Sequence, residues 1–73
     1  MGEAGVLRVR ERVSSVELDL AGGLVVFSRG VVPGDLYVTV WGDDGLHADR
    51  TLMTGVDACG LVEGLADLAG VSL

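Results

Sequence analysis

Val16-Glu17-Leu18-Asp19-Leu20-Ala21-Gly22-Gly23-Leu24-Val25-Val26-Phe27-Ser28-Arg29 is the stretch that decides the fold. Residues 16–20 alternate apolar and charged, so Val16, Leu18 and Leu20 share one face of a strand while Glu17 and Asp19 share the other. Gly22-Gly23 supplies the positive φ that a tight primed hairpin turn demands. A second strand then runs over 24–29. Pairing across the glycines sets Leu20 against Val25 and Leu18 against Phe27, which gives two antiparallel strands with a common apolar face.

Upstream, residues 6–13 alternate as well, with Leu7, Val9 and Val13 on one face and Arg8, Arg10 and Arg12 on the other. The phase reverses between this run and residues 16–20. Ser14-Ser15 is therefore either a two-residue turn or a bulge in one long strand. A turn sets Arg12 opposite Glu17, Arg10 opposite Asp19, Val13 against Val16 and Val9 against Leu20, so the charges match. The bulge stays open because serine does not favour positive φ. Glu11 is the misfit, since it falls opposite Leu18 on the apolar face.

Downstream, Gly30 to Asp35 reads as a loop in which Pro33 fixes φ and Gly34 takes the left-handed position of a type II turn. A fourth strand covers residues 35–41, with Leu36, Val38 and Val40 facing the core and Tyr37, Thr39 and Trp41 facing outward. Asp43-Asp44-Gly45 fits a three-residue hairpin loop, and a fifth strand runs over about 46–52. That register pairs Val40 with Ala48, Val38 with Arg50 and Leu36 with Leu52 on the core side, and Trp41 with His47 on the outer side. Arg50 then has to reach the sheet rim or a carboxylate.

Thr54 followed by Asp57 is a shortened capping box, and helical spacing persists over 55–69 before Gly70, which suits the C′ position. Asp57, Gly60, Glu63, Gly64 and Asp67 form a polar or small stripe. Val56, Cys59, Leu61, Val62, Leu65, Leu68 and Ala69 form a wide apolar face. The expected fold is a single small α+β domain over residues 1–73, an antiparallel β-meander of four to five strands with one C-terminal helix packed on one sheet face.

A chain of 73 residues sits at the low end of independently folding domains and often gains stability by pairing, which raises a homodimer or a tight protein partner as an expectation. Eleven acidic residues against five arginines give a net charge of −6, which repels phosphate backbones and anionic lipid. Nucleic acid is thus disfavoured as a partner. Cys59 is the only cysteine, so it has no intramolecular disulfide mate, and a reducing, cytoplasmic compartment is expected with Cys59 as a small buried hydrophobe. No membrane segment, basic leader or myristoylation motif is read. No small-molecule substrate, cofactor or metal set is read either.

Lys, Asn, Ile and Gln are absent while Gly, Ala, Val, Leu, Asp and Arg dominate, a bias expected of a G+C-rich genome. Short Val-rich strands running into an Ala/Leu/Gly helix resemble small uncharacterised proteins of actinobacteria and their phages. The resemblance implies a bacterial or phage source and no particular activity.

The candidate partner-binding residues are Tyr37, Trp41 and His47 on the outer sheet face, because Trp and Tyr most often anchor interfaces, and Gly60 and Gly64, one helical turn apart, where a second helix could approach closely. His47 has Asp49 near it but no second histidine, nucleophile or metal partner, so no catalytic residue is assigned. The expected function is a small non-enzymatic interaction or regulatory protein. An acidic inhibitor or nucleic-acid mimic is the alternative, with Asp43, Asp44, Asp49 and Asp57 as the start of its carboxylate surface.

Overall fold

The computed structural model describes residues 7–72; the expected start of the first strand at Val6 lies outside them. Five strands and one helix follow in chain order: β1 (Arg8–Glu11), β2 (Ser15–Leu20), β3 (Gly23–Arg29), β4 (Leu36–Trp41), β5 (Ala48–Met53) and α1 (Gly55–Ala69). The strands form one open antiparallel sheet in the order β1-β2-β3-β4-β5, so β1 and β5 are its edges. The α+β meander with a single C-terminal helix is therefore the fold.

β1 and β2 form a hairpin rather than one bulged strand, closed by the Arg12 N–H donating to the Ser15 carbonyl at 2.8 Å. Its turn is Val13-Ser14, one residue earlier than expected, and the register is shifted by two: Val9 faces Leu18, Glu11 faces Val16 and Arg10 faces Glu17. A shift of two preserves the faces. The expected ion pairs survive as diagonals, Arg10–Asp19 at 2.5 Å and Arg12–Glu17 at 3.6 Å. Glu11 stays on the apolar face, where the edge position of β1 leaves it exposed to water. An inward charge on an edge strand also discourages edge-to-edge pairing.

β2 and β3 are likewise shifted by two, with Leu18 opposite Val25 and Val16 opposite Phe27 around an Ala21-Gly22 turn. The reason lies at Gly23, which belongs to β3 rather than to the turn: a Cβ there would drive into the Trp41 carbonyl oxygen of β4. Its glycine serves close approach between strands. The 30–35 loop is as read, with the Asp35 N–H donating to the Val32 carbonyl at 3.1 Å and Gly34 at φ +95°.

The β4–β5 hairpin departs most from expectation. Its loop holds four residues, Asp43 to Leu46, between Gly42 and His47, whose backbones pair at 3.0 Å. The extra residue slips β5 by one, and every β5 side chain changes face. Trp41 now meets Ala48, Thr39 meets Arg50, Tyr37 meets Leu52 and Leu36 meets Met53. Arg50 leaves the apolar face, and Asp49 and Thr51 take places on it at the sheet edge.

α1 has the expected bounds. Thr54 is its N-cap, accepting from the Asp57 N–H at 3.5 Å, and Gly70 closes it at φ 71° in a Schellman arrangement with the Val71 N–H on the Ala66 carbonyl. The helix meets the sheet but covers only part of its apolar face. Only Ala58 is buried and Ala66 half-buried, while the larger apolar side chains stand out to water, Leu61 at 38%, Leu65 at 57% and Leu68 at 87% exposure. The helix touches the sheet at its first turns and then overhangs. The cause is its start: one residue separates β5 from α1, Gly55 abuts the Gly34 backbone, and the Gly55 N–H donates to Asp35 Oδ1 at 2.8 Å. That anchor places the first turn of the helix beside the 30–35 loop at the end of the sheet.

Candidate functional site

Faces of the sheet follow from these registers. One carries Val16, Leu18, Val25, Phe27, Val38 and Val40; the other carries Leu24, Val26, Tyr37, Thr39, Trp41, Arg50 and Leu52. On the second face the Arg50 guanidinium lies 5.2 Å from the Tyr37 ring centroid, a cation–π contact, and its Nε donates to Thr39 Oγ1 at 3.4 Å. Among the described residues Thr39 is the one buried polar residue, 8% exposed beneath these neighbours. Leu52 remains half exposed, and Trp41 lines a shallow cleft with Leu20, Gly23 and Leu24 at the sheet end. Toward β1 this face continues as the neutralised ladder of Arg10, Asp19, Arg12 and Glu17.

The sequence-derived candidates fall in three separate places. Tyr37 and Trp41 share the aromatic face, as expected. His47 does not join them: it closes the β4–β5 loop, where its Nδ1 sits 2.8 Å from Asp44 Oδ2. Asp44 organises that loop, its Oδ1 accepting from the Leu46 N–H at 2.9 Å and the His47 N–H at 3.4 Å. The Leu46 N–H holds the Asp44 carboxyl below the ordinary aspartate range, and the His47 ring adds in the same direction.

At about 100° per residue Gly60 falls nearly opposite Ala58 on α1, whereas Gly64 lies beside the stripe of Leu61 and Leu68; nothing lies within 4 Å of a Cβ built on either. Cys59 is exposed rather than buried, beside an open cleft of about 360 Å³ shared with Leu36 and Val62. The overhang of α1 is why. Arg50 and Leu52 are the members of the aromatic face that sequence reasoning missed, and the awkward placement of Arg50 on a core face was the available signal.

The carboxylates do not gather. Asp43 and Asp44 occupy the β4–β5 loop, whereas Asp57 lies in the first turn of α1 at the opposite end of β5. Among the described residues no three His, Cys, Asp or Glu side chains stand close enough to hold a metal ion, and no helix is long and apolar enough to cross a membrane. No protein-family model, curated protein or solved structure matches the chain.

Proposed function

We propose that this chain is a small non-enzymatic interaction protein of regulatory type, and that the β4–β5 aromatic face receives its protein partner. One observation supports the reading above others: Tyr37, Trp41 and Arg50, the three residue types most enriched at interface hot spots, stand on adjoining sheet positions with Leu52 among them. Short-range sheet pairing holds them in place, so a partner orders few side chains on binding. A matching surface is apolar opposite Trp41 and Leu52 and carries a carboxylate for Arg50. The charge of −6 turns the chain away from nucleic acids and anionic lipid and toward proteins. The lone, exposed Cys59 suits a reducing compartment such as the cytoplasm.

Trp41→Ala is the direct test. Trp41 lies at a strand end with 36% of its surface exposed, so the variant keeps the circular-dichroism spectrum of the wild type. It should lose the partner that the tagged wild type retains from its source cell, while His47→Ala retains it. Recovery of that partner by Trp41→Ala at the wild-type level would contradict the reading.

A further inference from the structure

A single copy of this chain does not cover its own apolar surface. Its accessible surface is 5819 Å², whereas a compact protein of 7.5 kDa exposes about 4,200 Å². The excess, polar and apolar surface together, is about 1,600 Å², and half of it matches the roughly 800 Å² per partner that a standard stable interface buries. The radius of gyration agrees, at 13.6 Å against about 11 Å for a compact chain of this length. Besides exposed loop and edge residues, the uncovered apolar surface includes the outer side of α1, with Leu61, Val62, Leu65 and Leu68, and the apolar sheet face at Val9, Leu20 and Val40, the last two at 39% and 49% exposure.

We propose that the occupant of this surface is a second copy of the chain. The two parts complement each other in kind: a helix lacks a sheet to lie on, and a sheet lacks a helix to cover it. A two-fold contact brings each missing layer to the other chain at once, because an isologous interface uses every patch twice. The start of α1 is held at the sheet end by the contacts of Gly55 with Gly34 and Asp35. Two chains of charge −6 repel, so the contact is made by the Leu61, Val62, Leu65 and Leu68 side of the later turns, with Glu63 and Asp67 turned outward and Asp57 kept back at the anchored first turn. This dimer does not use the aromatic face, which stays free for the partner proposed above.

Light scattering on a size-exclusion column and isotope-filtered NOEs between labelled and unlabelled chains test it together. The expected result is a mass of twice 7.5 kDa, with intermolecular NOEs joining Leu61, Leu65 or Leu68 to the apolar sheet face. Leu65→Asp should abolish the dimer, whether the freed chain stays folded or not, and Glu63→Gln on the opposite side of α1 should keep it. A folded wild-type monomer overturns the proposal. So does a larger assembly, a dimer whose NOEs fall on the Tyr37 face, a Leu65→Asp variant that keeps the dimer mass, or a chain that folds only with a different protein. Loss of the partner in the Trp41→Ala pull-down is a separate outcome that leaves this one standing.

Discussion

At the scale of single residues, two adjacent glycines do opposite things. Gly23 lies where a Cβ would meet the Trp41 carbonyl oxygen, while Gly22 has open space around it and no positive φ. Gly23→Ala should therefore cost about 2–3 kcal/mol in urea unfolding, the range for backbone strain that the surroundings cannot relieve. Gly22→Ala should be neutral or stabilising by up to about 1 kcal/mol, because it only restricts the unfolded chain. Equal effects at the two sites would contradict the close approach of β3 to β4. The sequence marked both glycines together as one turn. Nothing in the local pattern distinguishes a glycine needed for φ from one needed for space, since the second requirement comes from a strand eighteen residues away.

At the scale of elements, what was legible was what is encoded locally. Pro33-Gly34 sets its own turn, and Thr54 and Gly70 mark the helix ends, because each acts on backbone within four residues of itself. Strand registers were less legible. Alternation fixes which residues share a face but not the length of the connecting loop, so β1–β2 and β2–β3 shifted by two without consequence for the faces. The β4–β5 slip of one had a consequence, and it turns on Asp44: by accepting from two successive N–H groups it keeps Leu46 in the loop. Because its carboxyl is held below the ordinary aspartate range in the folded chain, its contribution is present above that range and is lost as pH falls through the folded pKa. In a carboxyl-carbon NMR titration Asp44 should titrate below the ordinary aspartate range, and the Leu46 amide shift should follow the same curve. A Leu46 amide that ignores the titration would contradict the loop geometry. On α1, Gly60→Ala and Gly64→Ala should each stabilise by about 0.5–1 kcal/mol, the ordinary gain at an open helix interior. Destabilisation at either would instead mean that another backbone lies against that side.

At the scale of the whole molecule, the sequence foresaw a helix with a wide apolar face and a sheet with another, and it was reasonable to lay one on the other. It could not reveal that a single residue, Thr54, joins them, with Gly55 pinned to Gly34 and Asp35, because the consequence of a short connection depends on where β5 ends relative to the loop after β3. The aromatic face was half legible for a related reason: Tyr37 and Trp41 are fixed by β4 alone, whereas Arg50 and Leu52 depend on the β5 register. The outcome is a thin molecule, 39 × 32 × 20 Å, in which Ala58 and Thr39 are the buried residues among those described. If a second copy completes the core, stability depends on association, and like-charge repulsion between copies then makes that association weaker at low ionic strength than at physiological salt. The most direct test is thermal unfolding followed by circular dichroism over about a hundredfold range of chain concentration. If a second copy completes the core, the midpoint rises by roughly 5–10 °C from the lowest concentration to the highest, as mass action on a folded dimer requires. A midpoint that stays constant across that range would mean that one chain folds without its mate, and would contradict the dimer.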